Sequence, residues 1–196
     1  MDKHCPYSAV ILAGGSSSRM KTNKALLQLN GKPMLTIIIE KLQPFFQEII
    51  IISNTPAQYA NYNLPIYTDI FPNRGPLSGI HSGLKNITNQ AAFFVACDMP
   101  FLDSSFAIKL TDYLGQFQAV VPRQGKYLQP LHAAYRKDCL PAVEQALQLE
   151  CTKIRSFYDL VEVKYYDLID NADYNWEKIF FNVNTPEEYQ MALNIS

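Results

Sequence analysis

Two hydrophobic rhythms take turns along the chain. Residues 8–13 (SAVILA), 48–53 (EIIIIS) and 91–97 (AAFFVAC) are strand-length segments with continuous apolar centres, the pattern of strands covered on both faces. Between them the period changes. After Pro33, residues Met34, Leu35, Ile38, Leu42 and Phe45 return every three or four positions and predict a helix that Pro44 disturbs near its end. Leu77, Ile80, Leu84 and Ile87 share a second helical face. Residues 106–114 predict a third helix and 141–149 a fourth, with Pro141 at a tolerated first position. Shorter strands are predicted over 65–68, 118–122, 128–135 and 161–167, the last alternating and therefore an outer one. Thr185, Pro186 and Glu188 spell a T-x-x-E capping box with proline at the first helical position, so a helix is predicted over 186–193. Strands alternating with helices predict an α/β fold: a doubly wound, mostly parallel (mixed) sheet with helices on both faces. No repeat, low-complexity tract or linker interrupts residues 1–196, and a single domain is expected.

Composition narrows the classes of function. A chain of 196 residues has the length to bury about 70% of its unfolded surface, and a 48% apolar, 18% charged composition is that of a globular protein. Lys+Arg 17 against Asp+Glu 18 leave a formal net charge of −1, so no global field draws in nucleic acid or anionic lipid, and neither is expected as a partner. Cys5, Cys97, Cys139 and Cys151 show no CxxC spacing and no histidine at ligand spacing, which argues against a zinc site or redox pair and for reduced cytoplasmic thiols. No run approaches the roughly 18 apolar residues of a membrane span, and the run at 9–13 is too short for a signal-peptide core. A cytoplasmic location is expected; no oligomerisation signature stands out, and a monomer is the default.

The chemistry collects where strands end, which in open α/β sheets is where ligands bind. The first strand runs into Leu12-Ala13-Gly14-Gly15, the second into Ser53-Asn54, the third into Asp69, and AAFFVAC into Asp98-Met99-Pro100. Gly14 and Gly15 let backbone N–H groups form a concavity for phosphate oxygens, with Arg19 and Lys24 as mobile positive charges beyond it. Neither G-x-G-x-x-G nor G-x-x-x-x-G-K-[ST] is present, so this is neither a dinucleotide fingerprint nor a Walker loop. A plain strand-to-helix turn with solvated charges is the competing reading. Asp98 suits Mg²⁺, which takes one or two carboxylates and completes its shell with phosphate oxygens and water; the alternative is an aspartate capping the next helix. Asp69 faces the same alternative, with Asn73, Gly75 and Pro76 readable as turn formers. His4, His81 and His132 lack a Ser or Cys nucleophile context and are read as structural or solvated.

Five motifs in order, LAGGSSSRM followed three residues on by Lys24, GKP at 31–33, RGPLSG at 74–79, CDMPFL at 97–102 and NVNTPEE at 182–188, resemble the molybdenum cofactor guanylyltransferases across nearly the whole chain. That resemblance implies a Rossmann-like nucleotidyltransferase fold and Mg²⁺-dependent transfer of GMP from GTP to Mo-molybdopterin with release of pyrophosphate. It further implies that Leu12, Ala13 and Gly14 line the nucleotide, that Lys24 holds its phosphates, and that Asn54 and Asp69 contact the nucleoside; Gly15 and Arg19 join the nucleotide's phosphates on the loop reading above. Asp98 would bind the metal, and Asn182 and Asn184 would face molybdopterin. One departure stands out: Lys21 follows Met20 where the family usually has glycine.

The implied chemistry needs no general base, because the attacking terminal phosphate of molybdopterin is already anionic near neutral pH and the obstacle is repulsion between anions. GTP and Mo-molybdopterin would be the substrates, and molybdoenzymes or cofactor-insertion proteins transient partners. Two rivals are weighed. A molybdopterin or polyol-phosphate cytidylyltransferase usually shows Ala-Ala-Gly where this chain has Ala13-Gly14-Gly15, and lacks the GPLSG form. A nucleotide-binding adaptor without catalysis would not need both Lys24 and Asp98.

Overall fold

The computed structural model describes residues 5–14, 23–168 and 173–195. Its strands are β1 (Cys5–Leu12), β2 (Gln28–Leu29), β3 (Lys32–Pro33), β4 (Phe46–Ile52), β5 (Ile66–Tyr67), β6 (Ala91–Ala96), β7 (Ala119–Gln124), β8 (Tyr127–Leu128), β9 (His132–Arg136) and β10 (Val163–Asp167). The helices are α1 (Met34–Leu42), α2 (Gly75–Asn86), α3 (Ser104–Asp112), α4 (Leu140–Gln148), α5 (Trp176–Ile179) and α6 (Pro186–Asn194). β2 and β3 form a small antiparallel pair of their own.

The main sheet runs in the order β10-β7-β9-β6-β1-β4-β5, with β8 paired to β7. β5, β4, β1 and β6 are parallel neighbours, β9 is antiparallel to both β6 and β7, and β10 is parallel to β7. β7 therefore runs the same way as β6, and the carboxyl ends of β5, β4, β1, β6, β7 and β10 share one edge. β1 has β4 on one side and β6 on the other, so the connections diverge at that strand and leave a crevice beyond its carboxyl end.

Strict alternation within the apolar runs divides the core into two layers. Ala9 and Ile11 of β1, Ile49 and Ile51 of β4, and Phe93 and Val95 of β6 pack with Leu35, Ile38 and Leu42 of α1 and Phe106 and Leu110 of α3. Val10 and Leu12, Ile50 and Ile52, and Ala92 and Phe94 pack on the other face with Leu77, Ile80 and Leu84 of α2 and Val143 and Leu147 of α4. Residues 9–12, 49–52 and 91–96 lack polar positions because neither face of the sheet meets water there. α2 lies so close to the sheet that a Cβ on Gly83 would fall 2.8 Å from Phe94 Cζ and 2.9 Å from Val10 Cγ1.

The predicted helices and the outer strand are found within a few residues of their expected bounds, and α1 ends at Leu42, before Pro44. The continuous strand predicted over 128–135 is instead two strands, β8 and β9. Pro130 has no N–H to give to a ladder, and the chain turns there, Gln129 N donating to Pro122 O at 2.9 Å and His132 N to Gln129 O at 3.1 Å. A third, smaller apolar cluster of Leu29, Met34, Val183 and Ala192 docks the C-terminal helix α6 on the segment that follows Lys24.

Candidate functional site

Main-chain bonds extend the sheet past its strand ends and bring the expected residues to one edge. Ala13 N donates to Ile52 O at 2.9 Å, Cys97 N to Leu12 O at 3.1 Å and Ser53 N to Tyr67 O at 2.9 Å. Leu12, Ala13, Asn54, Asp69 and Asp98 are thereby fixed along the carboxyl ends of β1, β4, β5 and β6. Gly14 is exposed, with open space where a side chain would stand. Gly15 and Arg19, and with them Lys21, lie outside the described residues.

Asn54 and Asp69 hold each other in a reciprocal pair. Asn54 Nδ2 donates to Asp69 Oδ2 and Asp69 N donates to Asn54 Oδ1, both at 2.9 Å. Asp69 Oδ1 is buried and without a partner among the described residues, as is the Ser78 hydroxyl in the first turn of α2. Close approach of α2 to the crevice depends on Gly79, where a Cβ would lie 3.1 Å from Leu12 Cδ2.

Asp98 is not a helix cap. That duty falls to Asp103, whose Oδ1 accepts from Phe106 N at 2.9 Å at the start of α3. Asp98 Oδ1 is instead buried without a hydrogen-bond partner among the described residues. Burial raises its carboxyl above the ordinary range; Lys24 favours the ionised form and Glu188 opposes it. An unpartnered buried carboxylate oxygen is costly in isolation, and a cation would relieve that cost. Among the described residues no group of three or more His, Cys, Asp or Glu could cage a metal alone. The donor set therefore fits a hard cation such as Mg²⁺ that takes a single carboxylate and finds its other oxygens on phosphate and water.

Lys24 is placed by residues near and far in sequence. Asn23 caps the short turn Lys24–Leu26, its Oδ1 accepting from Ala25 N at 3.1 Å, and its Nδ2 donates to Tyr59 Oη at 2.9 Å and also bonds Gln58. The Lys24 ammonium donates to Asn184 Oδ1 at 2.6 Å, across 160 positions of sequence. Asn184 N in turn donates to Glu188 Oε2 at 2.6 Å, and Val183 N donates to Asp98 O at 2.9 Å. The NVN segment, residues 182–184, thus carries bonds to both charged candidates. Asn182 Nδ2 donates to Phe180 O at 3.1 Å, and the side chain lines a groove of about 420 Å³.

Asn23, Tyr59, Glu188 and the aromatic α5 are missed by the motif reading. For Asn23 the signal was present, an asparagine ahead of a helical turn; Glu188 was legible as a cap but not as a neighbour of Asp98. Neither histidine among the described residues joins the site: His81 Nε2 lies 3.1 Å from Glu144 Oε1 between α2 and α4, and His132 is enclosed by aromatic rings.

The MobA-like NTP transferase domain matches residues 9–165. The chain is 38% identical over 187 residues to a Clostridium perfringens protein named "Probable molybdenum cofactor guanylyltransferase", covering 93% of this chain and 94% of that one. It is 31% identical over 188 residues to a molybdenum cofactor guanylyltransferase of Desulfosudis oleivorans, covering 94% and 93%. The crystal structure of molybdopterin-guanine dinucleotide biosynthesis protein A from Archaeoglobus fulgidus superposes with a TM-score of 0.83 at 26% identity, covering 96% of this chain and 97% of that one. With the sheet order, the strand-end carboxylate and these likenesses together, the chain belongs to the MobA-like NTP transferase family.

Proposed function

We propose that this protein is a molybdenum cofactor guanylyltransferase, transferring GMP from GTP to Mo-molybdopterin to give the guanine dinucleotide cofactor and pyrophosphate. The observation that carries the reading is that one short segment, 182–184, holds both the Lys24 ammonium and the main chain of Asp98 at the carboxyl edge of the sheet, where the buried Asp98 carboxylate keeps an unpartnered oxygen.

On this reading an oxygen of the acceptor's terminal phosphate attacks the α-phosphorus of GTP. That P–O bond forms as the bond to the α–β bridging oxygen breaks, and the electron pair leaves with pyrophosphate. Leu12, Ala13 and Gly14 place backbone beside the nucleotide, and Gly15 and Arg19 extend that loop. Asn54 pre-orients Asp69, whose free oxygen accepts a hydrogen bond from the nucleoside. The Lys24 ammonium rests on a neutral amide oxygen, and a phosphate oxygen is the stronger acceptor, so a turn of its flexible stem brings the charge onto the triphosphate. Asp98 offers its unpartnered oxygen to Mg²⁺; when bound, that ion neutralises phosphate charge and polarises the α-phosphate. Asn182 and Asn184 face the acceptor side. No proton need be removed in this step.

Residues 1–196 act here as one nucleotidyltransferase domain, a cytoplasmic monomer that passes its product to molybdoenzymes or insertion proteins. Among the described residues no helix is long and apolar enough to cross a membrane.

Pyrophosphate release from GTP in the presence of Mo-molybdopterin tests the assignment. Asp98→Asn is expected to lower turnover at least about a hundredfold, the scale of removing a principal electrostatic contributor. Because the folded-state pKa of Asp98 lies above its unfolded value, the ionised group costs stability at neutral pH, and the variant should melt no lower than wild type. Lys24→Ala should lose about 1.5–3 kcal/mol of phosphate interaction, roughly ten- to 150-fold in kcat/KM. Undiminished turnover in Asp98→Asn contradicts the assignment.

A further inference from the structure

The side chain of Tyr59 reaches two residues that flank the glycine-serine stretch after β1. Its Oη lies 3.4 Å from Ala13 O and 2.9 Å from Asn23 Nδ2. Ala13 prolongs the sheet beyond β1 through its N–H to Ile52 O, and Asn23 caps the turn that begins with Lys24. Local sequence brings the tyrosine there. Pro56 opens a 3₁₀ stretch over Pro56–Tyr62, and Asn63 ends it in the left-handed region at φ 53°. Within that stretch Tyr59 is turned inward, 2% exposed, and its ring packs in the same apolar layer as Ala13 and Ala25.

Donors and acceptors match around the phenol. Asn23 gives its amide hydrogens to Tyr59 Oη and Gln58 Oε1, while its Oδ1 accepts from Ala25 N at 3.1 Å. The phenol hydrogen has two acceptors in reach, Ala13 O at 3.4 Å and Asn23 Oδ1 at 3.2 Å. Oδ1 already serves the cap, so a hydrogen aimed at Ala13 O spreads the bonds over all three groups. Burial raises the phenol's pKa, so its proton stays in place and the hydroxyl keeps both roles, donor to one flank and acceptor from the other.

We infer that the Tyr59 hydroxyl clasps the end of β1 to the base of Lys24, making Tyr59 a positioning residue for the triphosphate. The inference rests on the guanylyltransferase reading, in which Ala13 borders the nucleotide and Lys24 meets its phosphates. Lys24 has a long flexible stem, and its ammonium moves between Asn184 and a phosphate about whatever base its backbone provides. Asn23 sets that base through the cap, and Tyr59 ties Asn23 to the strand end beside the nucleotide. A loose base would have to be ordered at every binding event, at a cost in affinity.

Full-length protein is titrated calorimetrically with GTP and Mg²⁺. Tyr59→Phe keeps the buried ring and deletes the hydroxyl, and it should weaken GTP about three- to tenfold, the scale of one hydrogen bond. Tyr62→Phe serves as control: its hydroxyl, on the same stretch, lies 3.4 Å from Thr36 Oγ1, and GTP affinity should stay within about twofold of wild type. Coupling separates positioning from general loosening. In a Lys24→Ala background Tyr59→Phe should change affinity by less than about twofold, because no ammonium is left to place. Asn23→Ser keeps a capping hydroxyl but loses the amide that reaches Tyr59; it should weaken GTP at least as much, and it decides the matter where Tyr59→Phe fails to fold. Wild-type affinity in a folded variant that lacks the clasp, or equal losses with and without Lys24, overturns the clasp alone. Wild-type protein that binds no GTP removes the guanylyltransferase reading and the role of the clasp with it.

Discussion

Neither ring nitrogen of His132 has a hydrogen-bond partner among the described residues, although the side chain is fully buried in β9. Phe93 and Phe180 meet its ring edge-on at 5.0 Å and Phe106 stacks at 5.9 Å, so the imidazole is held as an apolar ring. Burial pushes its pKa down to about 3, with Asp103 opposing slightly. The unfolded chain takes up a proton at His132 below about pH 6.5 that the folded chain refuses until about pH 3. Its contribution to stability is therefore complete above pH 6.5 and is lost as pH falls through that window, by about 1.4 kcal/mol per unit. Denaturant unfolding of wild type and His132→Leu at pH 7, 6, 5 and 4 should show a shallower acid loss in the variant by about one proton. Equal slopes would contradict a neutral buried imidazole. At this scale the sequence was partly legible. Asp98 and Lys24 stood out by their places after an apolar strand and a glycine loop, but nothing local showed that Lys24 meets Asn184, because that bond spans the chain.

Helix α6 is the element that turns a local signal into a property of the site. Thr185 Oγ1 accepts from Glu188 N at 3.2 Å, and Glu188 Oε2 accepts from Thr185 N at 2.9 Å and Asn184 N at 2.6 Å. The capping box that the sequence announced therefore also fixes the residue on which Lys24 rests. Thr185→Ala should cost about 1 kcal/mol of stability and raise the KM for GTP several-fold by slackening that rest. An unchanged KM despite lower stability, measured by thermal melting beside steady-state kinetics, would separate the cap from the site. Most elements were readable because period and caps are local physics. The exceptions have physical reasons: α5 has only four residues, too few to show a period, and the strand expected over 128–135 is cut by Pro130.

For the whole molecule, the apolar runs announced a sheet covered on both faces, and the alternation of Ala9 and Ile11 with Val10 and Leu12 delivers it. Strand order was not legible, since pairing of β9 between β6 and β7 is a non-local choice that no periodicity encodes. That choice matters. It places β7 and its Gln124 on the same edge of the sheet as Asn54, Asp69 and Asp98. The central claim is that the crevice at this edge selects GTP and engages it through a cation on Asp98. Thermal shift with GTP, CTP, UTP and ATP, each with and without Mg²⁺, in wild type and Asp98→Asn, tests it most directly. A ligand at about 100 times its Kd stabilises by about 2.7 kcal/mol, so GTP with Mg²⁺ should raise Tm by roughly 5–10 °C. The other nucleotides should do less, and the Mg²⁺-dependent part should vanish in Asp98→Asn. A larger shift with CTP, or the same Mg²⁺ increment in Asp98→Asn, would contradict the account.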